Sequence, residues 1–404
     1  MKAARFLRQI AGTAAPPKRD LVKAGETGIQ SVFLNQTNKG IAQVSIAVKA
    51  GTRHEVNDNV AHSLAAMKNA SSESHTEYLQ TQQLDRAGAQ FTADVSRDHI
   101  VYTLKCGPRL ASEMFSDVVL PALFCSNNWE WELVEKEHYL TKANEQRSAS
   151  DKQLDLLHSV SFRSGGLNRS VNPAGHRLGT GFFRRADHVD VSSFYWPIPQ
   201  IYDTRVKIGE VIAHRDMTFT HDNITVFTSG LEELEAQAIV DSVAAYTAPG
   251  GARDAGVAVF VPGESRIPSG ALPSGMLGFP GAAAGAANAG AYAILAQAIG
   301  AQSLQYEGAG LFALPFTCPK AALARLSDLS DNQLDAAREI SESCHAIDSD
   351  SFDGAVGQML TGSFGMSFSA SNDEVRALAA SLLKGPKSMV VEGQLGATPF
   401  LAEL

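Results

Sequence analysis

The sequence lacks the features by which several classes of protein are recognised. Its longest charge-free apolar stretch is mostly alanine and glycine and is interrupted by Asn288 and Gln297, so no segment is predicted to cross a membrane. It also lacks an excess of basic residues, and a net charge of -9 argues against a nucleic-acid-binding surface, which needs cations to contact phosphates. The composition therefore favours neither an integral membrane protein nor a nucleic-acid binder.

Cysteine is scarce and dispersed. The chain has four cysteines, none of them in a Cys-x-x-Cys pair: Cys106, Cys125, Cys318 and Cys344. This spacing excludes a zinc ribbon and gives no disulfide framework, which suits a reducing compartment. We expect the four thiols to behave as small buried hydrophobic side chains.

The first nineteen residues have a composition of their own. Their charged residues are all basic, and no acidic residue occurs before Asp20. Apolar side chains at positions 6, 7 and 10 lie opposite Arg5 and Arg8 on a helical wheel, which makes a basic amphipathic helix ended by Pro16. We predict a mitochondrial transit peptide over residues 1–19, the alternative being an ordinary frayed basic N-terminus.

The remaining chain alternates between strand and helix patterns. Alternating apolar residues predict that 30–34 and 43–49 are adjacent strands of an antiparallel sheet. Ser74 is predicted to cap a helix that ends before Gly88, and Pro121 to end a helix that starts at residue 108. The other predicted strands are 90–95, 99–106, 223–227, 257–261, 276–279, 311–317 and 388–392, and the other predicted helices are 129–146, 231–244, 286–301 and one that begins near residue 59.

A Pro- and Gly-containing stretch at 247–252 divides the chain, whose 404 residues are long enough for two domains. We predict an N-terminal domain over 20–247, a linker over 248–256 and a C-terminal domain over 257–404. The order of strands and helices partly recurs after the linker. The predicted fold class is therefore α+β, with two similar halves that each pack helices on an antiparallel-rich sheet, the second half being shortened.

One predicted helix carries the frame of a zinc-protease motif without its chemistry. The sequence Gly-Thr-Arg-His-Glu at 51–55 precedes a helix that contains His62, Ala65 and Ala66. In the motif His-x-x-Glu-His, the histidines share one helix face and the glutamate reaches the metal-bound water. Here the positions of the general base and of the second ligand both hold methyl groups.

This frame resembles the motif of the mitochondrial processing peptidase and pitrilysin family. The resemblance implies two such halves and a third zinc ligand, a glutamate at the end of a segment Glu-Arg-x-x-x-Leu-x-Glu. The matching segment, 135–142, ends in Lys142, whose protonated amine cannot bind zinc. Catalytic zinc needs about three protein ligands. We therefore predict no metal, cofactor or catalytic site at the degenerate positions His62, Ala65, Ala66 and Lys142.

The family resemblance also implies an Arg and a Tyr from the second half, in a segment Arg-x-x-x-Gly-x-x-Tyr, that orient the substrate carbonyl. No arginine lies between Arg266 and Arg325, and the predicted helix runs almost directly into Ser-Leu-Gln-Tyr at 303–306. This is a second loss of catalytic parts. We predict that the chain is not an enzyme.

The C-terminal sequence resembles a non-catalytic branch of the same family. Residues 384–389, 393–404 and 281–301 are similar to the core subunits of mitochondrial ubiquinol–cytochrome c reductase, respiratory complex III. The resemblance implies a structural subunit, peripheral to the inner membrane on its matrix side. Its implied partners are core protein 1, cytochrome b, cytochrome c1 and the Rieske protein, within a complex III homodimer. The alternative is the non-catalytic, presequence-binding subunit of the processing peptidase, whose glycine-rich loop is longer than the mostly alanine segment 278–290 here.

Other candidate sites have less support. His54 and His62 could form a metal pair, but no carboxylate of the family pattern completes it. The run 281–290 has no Gly-Lys-Ser/Thr and no basic residue, so close helix packing is expected there rather than phosphate binding. The sequence Gly-Ser-Phe-Gly at 362–365 does not fit a nucleophile elbow. The uncharged helix 286–301, in a half with few helices, is expected to offer an apolar contact to a partner subunit.

Overall fold

The structure is a computed structural model in which residues 19–23, 29–34, 40–127, 129, 131–133, 136, 147–171, 206–251, 254 and 256–404 are described. Two predictions from the sequence lie outside these residues: the position of Lys142, and the predicted transit peptide except for Arg19. The predicted helix 129–146 is only partly covered by them. Arg19 is the first residue of a strand.

The first half of the chain contains six strands and several helices among its described residues. In chain order they are β1 (Arg19–Lys23), β2 (Gln30–Leu34), β3 (Ala42–Val48), α1 (Val60–Ala66), α2 (Glu77–Arg86), β4 (Gln90–Val95), β5 (Ile100–Cys106), α3 (Pro108–Glu113), α4 (Leu120–Phe124), α5 (Ala149–Ser161), α6 (Ile208–Thr218), β6 (Ile224–Ser229) and α7 (Glu233–Tyr246).

The second half continues with five strands and five helices among its described residues. They are β7 (Glu264–Pro268), β8 (Ser274–Pro280), α8 (Ala289–Ile299), β9 (Gln302–Tyr306), β10 (Ala309–Phe316), α9 (Pro319–Ser327), α10 (Asp331–Asp350), α11 (Phe352–Leu360), α12 (Asn372–Lys384) and β11 (Ser388–Gly393).

The two sheets repeat one topology. The first has the order β1-β2-β6-β3-β5-β4 and the second the order β7-β11-β8-β10-β9. In each sheet the last strand of the half is parallel to one neighbour, β2 or β7, and the other pairs are antiparallel. If β1 is set aside, the two orders superpose strand for strand. The predicted fold class, two similar α+β halves, is confirmed.

The prediction that the strands near 30–34 and 43–49 are neighbours is wrong. The late strand β6 lies between them: Val226 is opposite Ile46 of β3 and also opposite Ser31 of β2. Side-chain alternation specifies which face of a strand is buried, but it does not specify the neighbouring strand. The bounds of β2 match the prediction and those of β3 are shifted by one residue, whereas the predicted pairing of the two strands is wrong.

The chain forms two compact units whose boundary is not the one expected from the linker alone. One unit contains Arg19–Ser148 and Arg169–Asp254, and the other contains Ala149–Asn168 and Ala255–Leu404. The change near residue 254 falls within the predicted linker. However, α5 belongs to the second unit, where Leu157 is buried in a cluster with Met276 and Val390. The segment Ala149–Asn168 therefore departs from the predicted continuous domain 20–247.

Both faces of the second sheet are covered within its own unit. On β11, Met389 and Val391 point into the cluster that contains α8, α9, α10 and α12, whereas Val390 points into the cluster that contains α5. This alternation follows from the two-residue period of a strand. The helices of this half, together with α5, therefore cover the second sheet, in contrast to the expected half with few helices.

The alanine-rich helix α8 is also a core element, not the outward apolar surface that its sequence suggested. Ala289 is 3% exposed, and Ile294 and Leu295 are fully buried. Its glycine packs closely, because a Cβ on Gly290 would lie 1.9 Å from the carbonyl oxygen of Ser367. The predicted packing role of the run 281–290 is consistent with this geometry, while Ala289 is buried within its own unit and does not offer the predicted apolar surface to a partner.

Several boundaries differ from the sequence predictions. Thr76, not Ser74, caps α2, with its hydroxyl accepting from the amide of Leu79. Pro121 does not end a helix but lies in the first turn of α4, where a proline is tolerated, after a π-helical turn at Met114–Val119. The strand predicted at 257–261 is instead β7, which starts at Glu264.

The cysteine prediction holds for one residue of the four. Cys106 is buried in β5, whereas Cys125, Cys318 and Cys344 are exposed free thiols. Cys125 and Cys318 occupy cap positions of α4 and α9, where side chains reach solvent. Among the described residues, no helix combines the length and apolar character needed to span a bilayer.

Candidate functional site

The degenerate zinc motif begins with a loop that is fixed to the neighbouring hairpin. The amide of Thr52 donates to the Ser96 carbonyl at 3.3 Å, and the amide of Arg53 donates to the Arg97 carbonyl at 2.8 Å. A Cβ at Gly51 would lie 2.4 Å from the Arg97 carbonyl oxygen, so the close approach requires glycine. The Gly-Thr-Arg part of the motif therefore serves the backbone fold of this loop.

Arg53 adds a side-chain contact to the same hairpin. Its guanidinium Nη1 lies 3.2 Å from Oδ1 of Asp98, and the Arg53 side chain is almost completely buried. The turn Ser96–Asp98 and the motif loop are thus joined by backbone and side-chain bonds together. This arrangement positions the start of α1 relative to the sheet.

The buried side chain of Glu55 caps the N-terminus of the motif helix α1. Its Oε2 accepts from the amide of Ala61 at 2.9 Å, and its Oε1 accepts from the amide of Asn59 at 3.3 Å. Asn59 has the left-handed φ of 73° and precedes α1 directly. The first amides of a helix have no intrahelical partner, so Glu55 satisfies groups that would otherwise be buried without a bond.

The environment of Glu55 changes its acidity. The side chain is 4% exposed. Burial raises the pKa of Glu55 from 4.5 to about 8, and this effect outweighs the Ala61 amide and the charge of Arg169, which both favour the ionised form. Arg169 is held nearby by a bond of 3.1 Å from Nη2 to the Val56 carbonyl.

Of the positions that would hold the zinc chemistry on α1, that of the general base lies in the hydrophobic core. His62 and Ala65 are both buried on α1, and Ala65 belongs to a cluster with Val60 and Leu64. Ala66, where the second histidine of the motif would stand, is partly buried. A methyl group offers no electron pair, so α1 presents one possible ligand where the motif needs two ligands and a base.

The third ligand position of the family, Lys142, lies outside the described residues. Within the part of the chain that the structure describes, no three His, Cys, Asp or Glu side chains gather in a metal-binding arrangement. His54 and His62 therefore gain no third ligand from these residues. The absence of a metal site remains a prediction from the replaced side chains.

The second-half element is replaced by a short turn. Helix α8 ends at Ile299, Gly300 takes the left-handed φ of 69°, and β9 starts at Gln302. There is no length between α8 and β9 for a segment of the Arg-x-x-x-Gly-x-x-Tyr type. Tyr306 closes β9, and its hydroxyl lies 2.8 Å from Nε2 of His158 on α5, so this tyrosine contacts the protein core.

Sequence reasoning missed the role of Glu55. The signal was present, because Glu55 ends the Gly-Thr-Arg-His-Glu sequence that carries the resemblance. Its burial was not readable, since that depends on the hairpin Ser96–Asp98 and on Arg169, which are distant in sequence. The structure thus separates the motif into side chains that fold the loop and positions that correspond to the base and the ligands of the zinc motif.

Comparisons with known proteins support this family resemblance. Residues 31–174 match the family described as Insulinase (Peptidase family M16). A curated relative, "Cytochrome b-c1 complex subunit 2, mitochondrial" of Cryptococcus neoformans var. grubii serotype A, is 24% identical over 240 residues, which is 58% of this chain and 49% of the relative. The match thus spans about half the length of that relative.

A solved structure extends the fold comparison to nearly the whole chain. The crystal structure of the peptidase M16 inactive domain from Pseudomonas fluorescens has a TM-score of 0.72 and 14% sequence identity, and the match covers 95% of this chain and 99% of that one. The resemblance inferred from the motif and the tail is confirmed, and the fold is that of the M16 peptidases.

Proposed function

We propose that this chain is a non-catalytic structural subunit of mitochondrial ubiquinol–cytochrome c reductase, corresponding to its core protein 2. One observation carries the proposal: the motif helix is retained and capped, while the side chain at the position of the general base, Ala65, is packed into the hydrophobic core. A scaffold needs the first property and does not need zinc. The similarity to subunit 2 of the cytochrome b-c1 complex supports the same assignment.

The chemistry of the site argues against a peptidase. Zinc hydrolysis needs about three protein ligands, a bound water and a base that removes its proton. In this chain Ala65 and Ala66 supply neither base nor ligand, and the turn between α8 and β9 supplies no arginine. The chain is therefore proposed to contribute surface and not catalysis.

The proposed location is the matrix side of the inner membrane, where the chain would attach as a peripheral subunit. Its partners would be core protein 1, cytochrome b, cytochrome c1 and the Rieske protein, in a complex III homodimer. Three features support this: the basic amphipathic residues 1–19, the C-terminal sequence 384–404 and the relative's name.

The test is co-migration in mitochondria. A tagged chain should run on a blue-native gel in a band that stains for haem, and mass spectrometry of that band should find the cytochromes. A His62→Ala variant serves as the matched control and should enter the same band, because a scaffold does not use His62 as a ligand. Migration with a presequence-cleaving activity, in a band free of haem, would instead favour the processing-peptidase partner.

The structure gives that alternative no added support. The segment that would correspond to a glycine-rich substrate loop is held by backbone hydrogen bonds. The amide of Gly281 donates to the Gly310 carbonyl at 3.0 Å, and the amide of Ala284 donates to the Tyr306 carbonyl at 2.9 Å. A segment with these bonds to the β9–β10 hairpin is a packed turn. We therefore retain the scaffold proposal.

Metal content gives an independent test. The purified chain should contain far less than one equivalent of zinc by plasma mass spectrometry, and His62→Ala should leave that content unchanged. Stoichiometric zinc that is lost in the His62→Ala variant would contradict a non-catalytic role.

A further inference from the structure

The C-terminal segment returns across an edge of the second sheet. Strand β11 ends at Gly393, whose φ of 126° is accessible to glycine, and a Cβ there would lie 2.8 Å from the Leu272 carbonyl oxygen. The next amide, that of Gln394, donates to the Ala271 carbonyl at 3.0 Å. The chain is thereby turned from β11 towards β7, the edge strand beside it.

Arg266 of β7 makes several contacts with this segment. Its Nη2 donates to the carbonyl oxygens of Leu395 at 3.1 Å and Thr398 at 2.8 Å, and its Nη1 donates to the carbonyl oxygen of Pro399 at 3.3 Å. The guanidinium carbon also lies 4.2 Å from the ring centroid of Phe400, the geometry of a cation–π contact. The fixed fork of an arginine can bind several carbonyls at once, which a lysine cannot do.

Glu264, on the same strand, completes the arrangement. Its Oε1 accepts from Nη1 of Arg266 at 2.8 Å, and its Oε2 accepts from the amide of Leu401 at 3.1 Å. Leu401 and Leu404 pack against the hydrophobic cluster of the unit. One ion pair thus binds the segment at both its carbonyl and its amide groups.

We infer that Arg266 and Glu264 form a binding site for a peptide segment, and that its ligand is the chain's own C-terminal segment, residues 394–404, which acts as a releasable strap over β7. In the described part of the sheet, β7 pairs through its backbone only with β11. An edge strand of this kind can pair with another chain unless something covers it. The segment's hydrogen bonds to β7 come from the side chains of Arg266 and Glu264, so it lies against this strand without extending the sheet.

The strap is distinct from the sheet in how it is held. Its bonds to β7 come from two side chains, whereas the sheet is held by backbone ladders. Release of the strap therefore leaves the ladders intact. The recognised chemistry is three accepting carbonyls, those of Leu395, Thr398 and Pro399, followed by the aromatic ring of Phe400. This inference does not depend on which complex the protein joins.

Hydrogen exchange of the full-length protein tests the strap. In Arg266→Ala, residues 394–404 should exchange about tenfold faster or more, while β8 and β10 keep their protection. Arg266→Lys is the matched control: it keeps the charge but loses the fork, and should also speed exchange of the segment. Unchanged exchange of residues 394–404 in Arg266→Ala, or loss of protection across the whole sheet, would overturn the inference.

A second variant avoids any effect of Arg266 on folding. Phe400 is 56% exposed, so Phe400→Ala leaves the core intact and should weaken the strap alone. A labelled peptide with the sequence of residues 394–404 should then bind the full-length Phe400→Ala protein, and should not bind when Arg266→Ala is added. Absence of binding up to about millimolar peptide, the effective concentration of a tethered segment, would refute the releasable site.

Discussion

At the scale of single residues, the motif contains side chains that fix the local fold and positions that correspond to the zinc chemistry. Gly51, Arg53 and Glu55 bind the loop and cap the helix, and all three are retained. Ala65 and Ala66 stand at the positions of the general base and the second ligand in the motif His-x-x-Glu-His. The bonds that fix the loop and cap the helix do not come from these two alanines, so the fold of this loop does not depend on a base or a ligand at their positions.

Glu55 should make the stability of the protein depend on pH. Its pKa is about 8 in the folded chain against 4.5 for a free glutamate, so between these values the folded state binds the extra proton. The stability that Glu55 contributes to the folded chain is fully present below about pH 4.5. It is lost as the pH rises through about 8, at up to about 1.4 kcal/mol per pH unit. Glu55→Gln cannot ionise. The free energy of unfolding, measured by urea titration at pH 5 and pH 8, should fall more steeply in the wild type than in this variant.

Equal pH slopes for the two proteins would show that Glu55 is ionised in the folded chain. Glu55→Ala separates the bond from the charge. It removes the acceptor for the Ala61 and Asn59 amides, so it should lower stability at both pH values by about 1–3 kcal/mol.

At the scale of elements, local sequence predicted which strands and helices form but not all of their neighbours. The edges of β2 and β4 match the predicted ranges, because their apolar alternation is a local property. The insertion of β6 between β2 and β3 depends on residues far along the chain. The packing of α5 on the second sheet could not be predicted either, because the sequence around Leu157 does not indicate which sheet this side chain contacts.

Leu157→Ala tests that packing. The change leaves a cavity next to Met276 and Val390, and should lower the free energy of unfolding by about 2–5 kcal/mol. Hydrogen exchange should report the loss in β8 and β11, with little change in β3 and β5. Faster exchange confined to the first sheet would assign α5 to the other unit.

Two alanines on α8 give a matched pair for the core role of this helix. Ala289 is 3% exposed, and Ala293, one turn later, is partly exposed. Ala289→Arg would bury an unpaired charge and should lower the unfolding free energy by several kcal/mol, whereas Ala293→Arg can place its charge in solvent and should change it by less than about 1 kcal/mol. Urea midpoints measure both. Equal tolerance of the two changes would mean that Ala289 faces solvent.

At the scale of the whole molecule, the sequence predicted the repeat of two halves but not the contacts between segments that are distant in the chain. The order of elements predicted two similar halves, and the matching strand orders of the two sheets bear this out. The loss of the base and second ligand could be read from Ala65 and Ala66 directly. The acidity of Glu55 and the strap at Arg266 could not, because each arises where segments distant in sequence meet.

The basic N-terminal residues allow a test of the proposed mitochondrial import signal. Met1 to Arg19 holds basic and no acidic residues, and the proposed import signal depends on that charge. In Arg5→Glu/Arg8→Glu, two acids enter the predicted amphipathic helix, so the tagged chain should remain outside mitochondria and be missing from the haem-stained complex. Arg5→Lys/Arg8→Lys keeps both charges and should be imported. Protease protection in isolated mitochondria measures the difference. Normal import of the glutamate variant would place the address elsewhere in the chain and remove one of the three supports for the complex III assignment.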